Sequence, residues 1–98
     1  MLALSYIILI IERMNTIEWT PKAIKQAMKI KDQAMRARIF SETQVLTAFP
    51  ACGNVKKLTN HEHGYRLRIG DYRVIFDFDG AVRVVYIEEG KKRDERTY

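Results

Sequence analysis

The chain has one cysteine, Cys52, among its 98 residues. No disulfide can therefore form within it, which fits a reducing, cytoplasmic setting. Two prolines and five glycines are too few for a fibrous or low-complexity chain. No apolar run approaches the roughly 20 residues that a bilayer-spanning helix needs, so no membrane is expected. Acidic residues are in deficit, 12 against 17 lysines and arginines, for a net charge of +5. That imbalance favours a polyanionic partner: nucleic acid, an acidic protein or a lipid surface. Also missing are a nucleophile elbow, a P-loop, paired carboxylates in an apolar setting and zinc-ligand spacing. Serine-hydrolase, nucleotide-triphosphatase and zinc-enzyme chemistry consequently have no foothold, and no cofactor is expected. What is present, 47% hydrophobic and 30% charged residues, is enough for one small globular domain.

The most informative stretch is YRLRIGDYRVIFDF, Tyr65 to Phe78. Apolar and polar residues alternate on both sides of Gly70-Asp71, the pattern of a strand, a two-residue turn and a second strand. Neighbouring side chains of a strand point to opposite faces. Tyr65, Leu67, Ile69, Tyr72, Val74, Phe76 and Phe78 then share an apolar face, and Arg66, Arg68, Arg73, Ile75 and Asp77 the other. With a two-residue loop, Ile69 faces Tyr72 and Arg68 faces Arg73. Like charges placed directly opposite are destabilising. Either the arginines splay into water, or an anion lies across them, since guanidinium groups give phosphate planar, permanently charged, bidentate donors.

Residues 1–13, MLALSYIILIIER, form an apolar extension, read as an additional strand, as a docking arm or, with Met14 as the natural start, as an upstream-start artefact. The domain proper is expected over 14–98. Thr16 to Trp19 reads as a short strand. Thr20 caps a helix with Pro21 at its first position, whose apolar stripe is Ile24, Ala27, Met28 and Ile30, with Lys22, Lys25, Lys29 and Lys31 on the rest. Asp32 caps a second helix in which Met35, Ile39, Leu46 and Phe49 recur at helical spacing before Pro50 and Gly53 end it. Ala51 to Gly64 is a loop carrying Lys56, Lys57, His61 and His63. The histidines are taken as ordinary loop residues, not metal ligands, for want of further ligands, though either can act as a general acid or base. Asp79-Gly80 turns the chain into a third strand, Val82 to Ile87. A two-residue loop there puts Val85 and Ile87 on the apolar face and Tyr86 on the face of Arg73; a three-residue loop inverts this. The tail, EEGKKRDERTY, forms a solvated terminus or a helical turn.

The chemistry on offer is therefore a basic, aromatic-bearing sheet face: Lys56, Lys57, Arg66, Arg68, Arg73, Lys91, Lys92 and Arg93 with Tyr86 and Tyr98. Cations hold phosphates while aromatics stack on bases. Such a face can also cleave RNA, because each ribonucleotide brings its own nucleophile. The protein need only align the 2′-hydroxyl, move protons and stabilise the phosphorane.

The order of strand, two helices and three antiparallel strands, with IEWTPKAIK, GYRLRIGDYRVIFDFDG and KKRDERTY at the right spacing, resembles the RelE branch of the RelE/ParE toxin superfamily over residues 14–98. The resemblance implies an α+β fold: a short N-terminal strand, two antiparallel helices on one face of a mainly antiparallel sheet whose last three strands form a meander, and a short C-terminal tail. It implies a toxin of a type II toxin–antitoxin pair, a metal-independent, ribosome-dependent mRNA endonuclease that cuts A-site codons through the 2′-hydroxyl and halts translation. Implied partners are a cognate antitoxin, the ribosome and mRNA, with operator DNA reached only through the antitoxin complex. Carried over residue by residue, Arg68 stabilises the phosphorane, and Lys56 and Lys57 serve as base or charge stabilisers. Arg73 is the arginine of the following strand, Lys92 or Arg93 serves the leaving group, and Tyr98 is the C-terminal catalytic tyrosine. Arg66, Arg73, Tyr86 and Lys91 join Lys56 in holding RNA. Two other readings share the surface: a ParE-like DNA gyrase inhibitor without nuclease activity, and a non-catalytic RNA- or acidic-protein-binding module.

Overall fold

The structure, a computed structural model, describes Leu4 and residues 14–92. The apolar extension apart from Leu4, together with Arg93 and Tyr98, lies outside the described residues. In chain order the elements are β1 (Thr16–Trp19), α1 (Pro21–Met28), α2 (Gln33–Glu42), a 3-10 helix (Thr43–Ala48), β2 (Val55–Lys57), β3 (Tyr65–Ile69), β4 (Tyr72–Asp79) and β5 (Val84–Lys92). The five strands form one sheet in the order β1-β5-β4-β3-β2. β1 runs parallel to β5, and every other neighbouring pair is antiparallel. Two helices on one face of a mainly antiparallel sheet, closed by a β3-β4-β5 meander, is the expected α+β architecture.

Both helix starts follow from local chemistry. The Thr20 hydroxyl accepts the Ala23 N–H at 3.1 Å, and an Asp32 carboxylate oxygen accepts the Met35 N–H at 3.1 Å. Each side chain satisfies an N–H that the helix itself cannot. The apolar stripe of α1 differs from expectation. Ala23, Ala27 and Ile30 are buried, whereas Ile24 and Met28 are 43% and 57% exposed. Small alanines let the helix backbone come close to the sheet, and this turns the bulkier pair outward. In the second helix Ile39, Leu46 and Phe49 are buried as expected, but the α-helix ends at Glu42 and continues as the 3-10 segment. Asn15, nearly buried, donates to the Leu46 and Phe49 carbonyls at 3.1 and 2.8 Å, satisfying backbone acceptors at the end of that segment.

The core is one cluster in which Leu67, Ile69, Val74, Phe76, Val85 and Ile87 from the sheet meet Ala23, Ile30, Ile39, Leu46 and Phe49. The β3-β4 register is the expected one: Ile69 pairs with Tyr72 and Arg68 with Arg73. Gly70 has φ 57°, and a Cβ there would come within 3.2 Å of an Arg38 guanidinium nitrogen. Backbone conformation and close approach both ask for glycine.

Three features differ from expectation. Val55–Lys57 is an edge strand, not loop. The β4-β5 connection spans Gly80 to Arg83, with Asp79 paired to Val84. That loop is again of even length, so Val85 and Ile87 still point into the core. Finally, β5 runs on to Lys92 through a bulge. Ile75 pairs with Glu89 but Phe76 with Ile87, leaving Glu88 as the extra residue. A bulge of one residue exchanges the faces of everything beyond it. Glu89 and Lys91 therefore share a face with Ile75 and Arg73, while Gly90 and Lys92 share one with Val74 and Tyr72.

Candidate nucleic-acid interface

Directly paired residues in a sheet project from the same face. On the face turned away from the helices, the register places Arg68, Arg73 and Lys91 in one row across β3, β4 and β5. The adjacent row is Lys56, Arg66, Ile75 and Glu89. Above the β2-β3-β4 part of these rows lies a cleft of about 390 Å³. Lys56, Lys57, Arg66, Arg68 and Arg73 line it, with Leu58, Thr59, Gly70, Asp71 and Tyr72. Five cations thus face one carboxylate.

Arg68 is exposed, and its Nε donates only weakly to the Gly70 carbonyl at 3.4 Å. Among the described residues it forms no ion pair with a carboxylate. Lys56 and Lys57 are exposed on the edge strand, and Arg66 and Arg73 are half-buried beneath the cleft. Concave shape and one-signed charge concentrate an anion here more than a flat lysine surface would.

The other expected site residues are placed differently. Lys91 stands in the arginine row but bonds the Glu89 carboxylate at 3.3 Å. Lys92 pairs with Tyr72 and so belongs to the helix side of the sheet. Tyr86 pairs with Asp77, four residues along β4 from Arg73, a separation of roughly 13 Å at strand rise, and is not part of the cleft. Asp71 and Tyr72 also line the cleft. The signal for Tyr72 was its place directly after the turn, where an aromatic on the apolar face reaches the end of the sheet.

Further along the same face lies a second cluster. His63 Nδ1 donates to Asp77 at 2.7 Å and is 3.8 Å from a Glu88 oxygen, and its Nε2 is 3.4 Å from Glu62. The Gly64 N–H donates to the other Asp77 oxygen at 2.8 Å. His63 is therefore no ordinary loop histidine, whereas His61 is exposed. Burial disfavours the imidazolium, but the hydrogen bond and charge of Asp77, with Glu88 and Glu62, outweigh it and hold the His63 pKa above 6.5. Burial also raises Asp77, but the bonds from His63 and Gly64 prevail and keep it below its usual value. Burial and the neighbouring Asp77 push Glu88 up. The ligand atoms of His63, Asp77 and Glu88 lie within 4.8 Å of one another, a spacing that could chelate a cation.

This cluster makes stability depend on pH. A raised histidine pKa stabilises the fold fully below 6.5 and is lost as pH rises through the folded-state value. The lowered Asp77 pKa acts oppositely, stabilising above 3.8 and fading as pH falls. Thermal melts should therefore show Tm declining as pH rises above 6.5. His63→Asn should flatten that decline, and an unchanged slope in the variant would show that His63 does not set it.

Residues 17–93 match the family model described as the ParE toxin of the type II toxin–antitoxin system parDE. No curated protein matches significantly. Among solved structures, the RelE–RelB complex of the archaeon Pyrococcus horikoshii OT3 aligns at 24% identity with TM-score 0.69, covering 84% of this chain and 98% of that one. The RelBE2 toxin–antitoxin complex of Mycobacterium tuberculosis aligns at 22% identity and 0.65, covering 82% and 99%. The isolated RelE toxin of E. coli aligns at 16% and 0.67, covering 83% and 86%. The structural likenesses establish the RelE fold, and with the family model matched over most of its length, the chain belongs to the ParE toxin family, in the RelE/ParE superfamily of type II toxin–antitoxin toxins.

Proposed function

We propose that this toxin is an mRNA endonuclease that acts in the ribosomal A site and makes the message cut itself. The observation that carries the reading is the cleft in which Lys56, Arg66, Arg68 and Arg73 converge on an open sheet face, with Lys57, paired with Tyr65 on the edge strand, also lining it. In-line attack by a 2′-hydroxyl places extra negative charge on the phosphorane oxygens. Arg68, opposite Arg73, is positioned to meet that charge with fixed positive donors. Lys56 and Lys57 supply further charge or accept the hydroxyl proton. Lys92, paired with Tyr72 on the helix side of the sheet, is turned away from this cleft, so the leaving 5′-oxygen falls to Arg93 and the catalytic tyrosine role to Tyr98, both outside the described residues. Lys91 holds the RNA backbone. Because the substrate carries the nucleophile, the chemistry asks of the protein only positioning, proton transfer and charge stabilisation.

As in the RelE chains solved with RelB, a cognate antitoxin is the expected protein partner, with operator DNA reached through that complex and action in the cytoplasm. Primer extension on messages from cells expressing the toxin tests the reading. Codon-phased breaks are expected, and intact messages during growth arrest would overturn it. The match to the ParE model favours a second reading, inhibition of DNA gyrase without cleavage. Its expected signature is DNA-damage signalling with uncut messages.

A further inference from the structure

A second cationic cleft, of about 480 Å³, opens on the helix side of the sheet where β4 begins and β5 ends. Lys29, Lys31, Lys91 and Lys92 line it against the single carboxylate of Asp32, with Ile30, Tyr72 and Gly90 among the remaining walls. One Asp32 oxygen is already committed to the Met35 N–H. Lys91 bonds Glu89, but Lys29, Lys31 and Lys92 form no ion pair among the described residues. Among the described residues the surface is thus strongly positive, with one carboxylate against four lysines.

Two observations distinguish it from an ordinary solvated helix end. Its lysines sit on an anchored connection. Ile30 is 7% exposed, its N–H donates to the Ala27 carbonyl at 3.1 Å, and its carbonyl accepts from the Arg36 guanidinium at 3.0 Å. Lys29 and Lys31 flank that anchor, so their backbone positions are held before any ligand arrives. The cleft is also contiguous with the first one. Tyr72 lines both, and Lys91 spans the end of the sheet, in register with Arg73 yet lining the second cleft. The Gln26 side chain accepts the Gly90 N–H at 2.8 Å and so ties α1 to β5 at this point.

We infer that this cleft is a second phosphate-binding site, which takes the single-stranded RNA backbone flanking the nucleotide held at Arg68. The strand would bend over the sheet end, with Tyr72 as an aromatic surface between two cationic sites. A groove of positive charge interrupted by an aromatic is the arrangement that holds single strands without reading sequence. This rests on the nuclease reading for the identity of the chain in the first cleft. Continuity with that cleft favours RNA over an acidic protein segment.

The test uses the full chain carrying Arg68→Ala, which can be produced without self-arrest, and a fluorescein-labelled 12-nucleotide RNA in anisotropy titrations at several salt concentrations. Adding Lys29→Ala and Lys31→Ala should weaken binding about tenfold and lower the salt slope by about 1–2, because each phosphate neutralised contributes up to one to that slope. Equal binding of the 12-mer by both proteins would overturn the inference. So would loss of poly-glutamate binding with RNA binding intact, which would give the cleft to an acidic protein. The two readings fail separately. A wild-type chain that makes codon-phased cuts while the lysine pair leaves 12-mer affinity unchanged loses only the second cleft. A chain that makes no cuts but shows the lysine-dependent affinity loses only the nuclease reading.

Discussion

Arg68→Ala should abolish growth arrest while the domain remains folded. Deleting one donor that stabilises a developing oxyanion lowers rates by about 10²–10³, or about 2.7–4 kcal/mol of transition-state binding. A toxin so weakened should not outpace synthesis of new message. The fold should be indifferent, because Arg68 is exposed and its hydrogen bond to the Gly70 carbonyl is long. Exposed substitutions of this kind fall within about 0.5 kcal/mol, and removing one of two facing arginines even relieves a like-charge pair. Growth curves with primer extension measure the first effect and a thermal melt the second. Full-strength arrest by the alanine variant would remove Arg68 from the mechanism. Lost arrest with a collapsed melt would make its role structural.

Phe76→Ala should produce the largest loss of stability. Phe76 is fully buried, meets Phe49 edge-on at 5.2 Å between ring centroids and stacks on Tyr65 at 5.4 Å. Truncating such a ring removes its transfer energy and leaves a cavity, together about 3–5 kcal/mol. A small domain has about 5–15 kcal/mol in total, so Tm should fall by on the order of 20 °C or more. Denaturant melts of the two proteins would give the difference directly. A change below about 1 kcal/mol would mean that the Phe49, Tyr65 and Phe76 contact is not the centre of the core.

These two expectations were legible to different degrees. Phe76 in the core and Arg68 opposite Arg73 both follow from alternation and from a loop of even length, properties of a dozen consecutive residues. The Thr20 and Asp32 caps were equally local. The stripe of α1 was not. Ile24 and Met28 are more apolar than Ala23, but close approach of helix to sheet selects the smaller side chain. His63 could not be paired with Asp77 from spacing, because fourteen residues and a turn separate them.

By itself the sequence determined which face of each hairpin strand is apolar, where the helices begin, and that the arginines stand together, because these depend on a period of two and on caps within a few residues. Only the tertiary structure decided which C-terminal lysine joins them. The bulge at Glu88 sends Lys91 to the arginine row and Lys92 to the helix side. The residues just beyond it find their partners on α1, where Lys22 pairs with Glu89 and Gln26 accepts the Gly90 N–H. Those partners are more than sixty residues away along the chain, and no local pattern encodes a register that distant contacts stabilise.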